Sequence, residues 1–245
     1  MNIRLDIEYI GTNFCGWQRQ RGSPTIQGEL EKCLKNIYKK NITLLGSGRT
    51  DSGVHAYNQV ANFHIDENHK INMVGLRNDL NSLLNGEIRV KKCSKVPEGF
   101  HSQHSSKKKI YLYRIKTVDP CTVFEKGRFW FIKKELNTEA LRECSKKFVG
   151  EKDFKNFCKT GYAGESTTRR VKKISIKTNA NYLDLFIVGN GFLRGMVRLI
   201  VGCLINYEKG KIKQGDIDSA IENKKRLKLN LSAPAEGLYL YNVEY

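Results

Sequence analysis

Gly46-Ser47-Gly48-Arg49-Thr50-Asp51-Ser52-Gly53-Val54-His55-Ala56 lies between two apolar, strand-like runs, Ile42 to Leu45 before it and Val60 to Ile65 after it. Its glycines permit positive φ and close backbone approach. It holds one carboxylate, Asp51, and one permanent cation, Arg49. A loop of this make-up between strands is a common way to present chemistry on a rigid scaffold. The bland reading of the same residues is a hairpin loop in which Asp51 and Ser52 make Asx and Ser turns. It is not a Walker-type loop, since no Lys follows its glycines and a strand, not a helix, comes next. Arg49 and Asp51 are one residue apart, and a turned loop lets them meet. A guanidinium beside a carboxylate keeps it ionised, which suits a nucleophile or base at neutral pH.

Working outward, Ile3, Leu5, Ile7 and Tyr9 alternate with polar residues as a half-buried strand does. The strand ends at Gly11-Thr12-Asn13, and Phe14 and Trp17 then stand among Gln18, Arg19, Gln20 and Arg21. These rings either stack on bases or plug the sheet from below. Ile26 to Ile37 and Val74 to Leu84 show helical spacing of apolar residues, Ile42 to Ser47 and Gln59 to Ile65 read as strands, and Ile88 to Val96 reads as a strand ended by Pro97. After a polar crossing from Phe100 to Lys109, strands are expected at Tyr111–Ile115, Phe129–Ile132, Val171–Thr178, Tyr182–Val188 and Leu238–Val243. Helices are expected over 137–149, 192–207 and 212–222, with a short helical turn near 153–158. The fold class is therefore α+β: two similar subdomains, 1–104 and 105–245, each a mainly antiparallel sheet flanked by helices. Arg194 and Arg198 fall at i and i+4 on one face of the expected 192–207 helix, near its start. They read equally as solvated charges or as partners of a phosphate or carboxylate.

Forty-three Lys and Arg against 25 acids give a net charge of +18. The basic clusters, among them Lys107-Lys108-Lys109, Arg169-Arg170, Lys172-Lys173 and Lys224-Lys225-Arg226, are spread along the chain. They imply a broad surface for a polyanion, most simply nucleic acid. No apolar run approaches the ~20 residues of a membrane span. The sequence opens on a strand pattern rather than a leader, and a cytoplasmic location is expected. Seven scattered cysteines without a C-x-x-C pair argue against a zinc site and a disulfide framework. The five histidines lack ligand spacing, so no metal is expected.

Several stretches together resemble one family. Gly48 to Ala56 is similar to the active-site loop of the tRNA pseudouridine synthase A family. Phe14 to Gln20 with Thr25-Ile26-Gln27 resembles its N-terminal signature, and Lys109 to Arg114 its tyrosine motif. Asn190 to Arg198 with Gly202, and Ala235 to Leu240, complete the set in family order. The resemblance implies the pseudouridine synthase fold, with an RNA-binding cleft between the subdomains. It implies isomerisation of uridine at positions 38, 39 and 40 of the tRNA anticodon stem-loop, by a homodimer, without cofactor or metal. By the same resemblance Asp51 is the essential aspartate, attacking C1′ or C6 or taking a proton from C2′. Tyr111 stacks on the target base and helps move the C5 proton, and Arg49 and Arg198 hold the aspartate or a target phosphate. Gln18, Arg19, Trp17 and Arg194 are the further substrate-binding candidates. Two positions depart from the family pattern: Ile10 where it has Asp, and Gln103 where it has Arg. A non-catalytic RNA-binding protein with the same basic surface is the alternative; it gains nothing from a carboxylate that repels phosphate.

Overall fold

Strand β1 (Asn2–Tyr9) puts Ile3, Leu5 and Ile7 on one face, and all three are fully buried, as the period of two requires. The computed structural model describes residues 1–66, 71–118, 121–161, 164–179, 181–227 and 231–245. These form two units, 1–107 with 239–245, and 108–238.

In the first unit β1 pairs antiparallel with β3 (His55–His64) and with β4 (Ile88–Val96), and the two-residue β2 (Leu45–Gly46) pairs with β3. Helix α1 (Ile26–Tyr38) buries Ile26, Leu30, Cys33 and Leu34. It starts where Thr25 Oγ1 accepts the Gly28 N–H at 3.2 Å, and it stops at Lys39 in the left-handed region, a capped start and a tight C-terminal turn. Helix α2 (Met73–Leu83), capped by Asn72, packs on β4 and α1 through Leu76 and Leu80. Val74 and Leu83, expected on its apolar face, are 58% and 49% exposed. Only the Leu76–Leu80 spacing of four faces the sheet.

The expected strand over 42–47 shortens to β2 for a local reason. Leu44 N–H donates to Glu31 Oε1 (2.9 Å), and Leu44 C=O accepts from Gln27 Nε2 (3.1 Å). Side chains of α1 take the groups that a ladder would use.

In the second unit the order is β5 (Lys108–Lys116), β9 (Tyr182–Gly189), β8 (Thr168–Asn179) and β7 (Gly150–Asp153), all antiparallel, with β6 (Trp130–Phe131) parallel to β5. Strand β7 carries no apolar alternation and is not expected from sequence. Helices α3 (Thr138–Lys146) and α4 (Met196–Glu208) pack together over this sheet, and α5 (Gln214–Ile221) follows. Their core joins Leu141, Phe148, Phe154, Phe157, Met196, Ile200 and Leu204, with the Phe148 and Phe157 rings edge to face at 5.1 Å. Of the expected turn at 179–181, residue 180 lies outside the described residues.

The last strand, β10 (Leu238–Glu244), corrects the division at 104/105. It is expected in the second subdomain, yet from Tyr239 onward it belongs to the first unit. Tyr239 and Leu240 pair in parallel with His55 and Ala56, and Asn58 Nδ2 donates to Asn242 Oδ1 at 2.9 Å. A parallel pairing across so long a separation leaves no local signal. The crossing segment is fixed too: Asn2 Nδ2 donates to Phe100 C=O (2.8 Å), and Asn62 Oδ1 accepts the Ser102 N–H (2.9 Å). Gln103 stands exposed beside them.

Candidate active site

Asp51 opens a tight turn in the first unit. Its C=O accepts the Val54 N–H at 3.2 Å, and Gly53 sits at φ 77°, a conformation that favours glycine. The turn is tied down from several directions. Phe14 C=O accepts from Gly53 N–H (3.3 Å) and Ser52 Oγ (3.2 Å). Trp17 N–H donates to Thr50 C=O (3.1 Å), and the Thr50 and Tyr9 hydroxyls are 2.8 Å apart. Burial raises the Tyr9 hydroxyl well above its ordinary value, so it stays a neutral partner to Thr50. Gly11 N–H donates to His55 Nδ1 (3.0 Å), which makes that nitrogen the acceptor, and the His55 ring stacks on Tyr239 at 4.7 Å.

Thr50 is buried, Arg49 is exposed and Asp51 is half-buried. The middle residue thus anchors the loop while its neighbours stay accessible. Arg49 makes no ion pair or hydrogen bond among the described residues, so the expected meeting of Arg49 with Asp51 is not realised. Asp51 is itself engaged.

Trp17 is 2% exposed. Its indole lies against Gly46, where a Cβ would come within 2.5 Å of Nε1, and it neighbours Tyr9 at 6.3 Å. It is the aromatic plug beneath the loop, and its placement as a base-stacking residue is corrected: a ring that supports the sheet has no free face. Phe14 is likewise buried. Gln18 is exposed, and Arg19, 63% exposed in its side chain, pairs with buried Glu31 at 2.9 Å.

Sequence reasoning misses Gln59. Its side chain is fully buried. Nε2 donates to Gly48 C=O (2.9 Å), and Oε1 accepts from Ser47 Oγ (2.6 Å) and Val60 N–H (3.1 Å). It splints the entry to the loop onto β3. Replacing Gln59 by Leu takes from the buried Ser47 hydroxyl and the half-buried Gly48 carbonyl the amide that joins them. We expect this to lower unfolding free energy by about 2 kcal/mol, measured by urea denaturation.

In the second unit Tyr111, 8% exposed, meets Phe192 edge to face at 5.1 Å. Gly189 makes room for Phe192, since a Cβ there would fall 2.9 Å from its ring. Helix α4 begins at Met196, not near 192, because Gly195 takes φ 72° as its cap. Arg194 therefore lies before the helix, and the expected shared face with Arg198 is corrected: Arg194 is exposed on the preceding turn.

Arg198 is held in the first turn of α4. Its Nε donates to Ala233 C=O at 2.7 Å, and Ala233 N–H donates to Arg198 C=O at 3.2 Å. One turn on, Gly202 lies under Leu231, whose carbonyl oxygen would be 1.6 Å from a Cβ. Tyr113 completes the strap: its OH donates to Pro234 C=O at 2.8 Å, and its ring covers Gly237. The strap at 231–237 is also absent from the sequence reading; glycine inside an apolar helix is its one signal.

These arrangements present a braced carboxylate in one unit and a packed tyrosine with an oriented arginine in the other. A sequence model described as tRNA pseudouridine synthase matches residues 7–105 and 144–245. The chain is 38% identical over 255 residues to tRNA pseudouridine synthase A of Thermodesulfovibrio yellowstonii, covering all of both chains. It is 41% identical over 244 residues to tRNA pseudouridine synthase A of Clostridium botulinum, covering all of this chain and 99% of the relative. It is 37% identical over 248 residues to tRNA pseudouridine synthase A 2 of Bacillus cereus, with the same coverage.

Proposed function

The chain belongs to the tRNA pseudouridine synthase family, and from that premise we propose that it isomerises uridines 38, 39 and 40 of the tRNA anticodon stem-loop with Asp51 as its essential carboxylate. The reaction breaks the N1–C1′ bond, turns the uracil and joins C5 to C1′. C5 gives up a proton and N1 gains one, so the product is an isomer. In this reading the ionised Asp51 acts on C1′, on C6 or on the C2′ proton, and the target uridine leaves the stack to reach it. Tyr111 stacks on the extruded base and assists removal of the C5 proton. Arg198, aimed by the strap, and Arg49 hold the aspartate or a phosphate. The reading extends to a cytoplasmic homodimer with tRNA bound across both subunits, carried by the resemblance.

The observation that carries this function is the braced turn at Asp51. A carboxylate held half-open on a rigid loop, in a chain of net charge +18, is unfavourable for binding RNA and is explained by chemistry on it. The test is incubation with unmodified tRNA followed by mapping of the product. Pseudouridine confined to 38–40 is expected; pseudouridine elsewhere in the tRNA, or none, overturns the assignment.

A further inference from the structure

Strand β5 treats the cations on its two faces differently. Arg114 binds Asp184 through two hydrogen bonds of 2.8 Å, and Lys116 binds Glu125 at 2.8 and 2.7 Å. Glu125 is held down to about 2 by Lys116 first and Tyr182 second. Lys109 faces the other way, and among the described residues it has no hydrogen bond or ion pair. Burial, and then Arg169, hold its ammonium below the ordinary value. Placing a half-buried cation beside another is unfavourable unless an anion joins them.

The surroundings add further cations. Lys109 is the register partner of Gly189, which in turn pairs with Val171. The three strands thus bring the start of β5, the end of β9 and the start of β8 to one place. Arg169 lies across Gly191, with its Cδ and Nε 3.8 Å from where a Cβ would be. Arg194 is exposed and without a side-chain partner among the described residues, and its C=O accepts the Lys159 N–H at 2.9 Å. Burial raises the Cys158 thiol above its ordinary value, and Arg194, Arg169 and Arg226 act against that rise. Residues 107–116 and 189–198 contain no acid, and Arg169 Nη1 donates to the Ser166 and Thr168 carbonyls at 2.9 and 2.6 Å, so no carboxylate on the segments that carry Lys109 and Arg194 offsets their charge.

We propose that Lys109, Arg169 and Arg194 form a clamp for one phosphate of the RNA backbone next to the target uridine. Position gives the clamp its register. Lys109 is two residues before Tyr111 on the same strand, so both lie on one face. Phe192, which packs on Tyr111, directly follows Gly191. The phosphate site therefore adjoins the proposed base-stacking position within one unit. The inference rests on the tRNA reading and adds to it the group that fixes which nucleotide is presented.

The test uses the full chain and a synthetic, unmodified anticodon stem-loop RNA in which single phosphates flanking the target uridine are replaced by neutral methylphosphonate. Lys109→Gln and Arg194→Gln are each expected to raise KM roughly tenfold, with kcat within about twofold of wild type. Each should lower the slope of log affinity against log salt by about 1. One methylphosphonate is expected to weaken wild type by the same factor and Lys109→Gln hardly at all, the coupling expected of a direct contact. Lys109→Arg should retain wild-type affinity, separating loss of charge from loss of fold. The clamp is refuted if the two losses multiply at every flanking phosphate, or if Lys35→Gln on α1 reproduces the effect. If wild type makes no pseudouridine in the stem-loop, the functional reading falls and the clamp with it. If it does and no coupling appears, the clamp alone falls.

Discussion

Asp51→Asn is expected to abolish pseudouridine formation, lowering single-turnover rate by at least about 10⁴-fold, while tRNA affinity stays within a few-fold. The two halves of this expectation have separate causes. Each route open to the carboxylate, whether attack on carbon or removal of a proton, uses an anionic oxygen that an amide lacks. Binding depends on phosphate neutralisation by a chain of net charge +18. Removing one negative charge from such a surface shifts affinity, if at all, toward tighter binding. The variant should also fold, since amide and carboxylate have the same shape and the backbone bonds of the turn, Val54 N–H to Asp51 C=O, Gly53 N–H to Phe14 C=O and Trp17 N–H to Thr50 C=O, are open to both. Rate is read from pseudouridine released per enzyme, and affinity from filter binding of the same tRNA. Residual turnover near wild type would return Asp51 to the status of a turn residue and favour the non-catalytic RNA binder.

The local parts of the site are the legible parts. Asp51 and Arg49 are a carboxylate and a cation in a Gly-rich loop between strands, a make-up that fits a plain turn as well, and it is the family resemblance that singles out Asp51 for chemistry. Thr25, Asn72 and Asn137 cap α1, α2 and α3 through their side chains, each a residue type suited to that place. What escapes the sequence is non-local. Gln59 reads as a polar residue in a half-buried strand, and only the folded loop shows its amide bridging Ser47 to Gly48. Trp17 is ambiguous until Gly46 is seen beneath its indole. The spacing of apolar residues on both sides of residue 195 puts Arg194 and Arg198 on one expected helix; a glycine at φ 72° places the helix start after it. The return of β10 to the first unit depends on a parallel pairing with β3 that no turn announces.

Gly202→Ala carries the second large expectation: loss of about 3 kcal/mol of stability or more, with activity lost beyond what unfolding explains. An added methyl is usually mild in a helix, where Ala has the higher propensity by about 1 kcal/mol. Here its carbon would lie 1.6 Å from Leu231 C=O and 2.6 Å from the carbonyl carbon. Both are backbone atoms, so no rotamer change relieves the clash. The strap must move, and overpacking of this kind outweighs the propensity gain. Its movement reaches Arg198 directly, because Ala233 accepts the Arg198 Nε–H and returns its own N–H to Arg198 C=O. Tyr113 then resists the displacement from the far end through Pro234. Thermal denaturation should therefore show a lowered Tm. At a temperature where the variant is still folded, kcat should fall by more than tenfold with tRNA affinity nearly kept, because the arginine is misaligned and not removed. A variant as stable as wild type would mean that the strap is not pressed onto α4. A destabilised variant with full kcat would mean that Arg198 does its work without the strap's alignment.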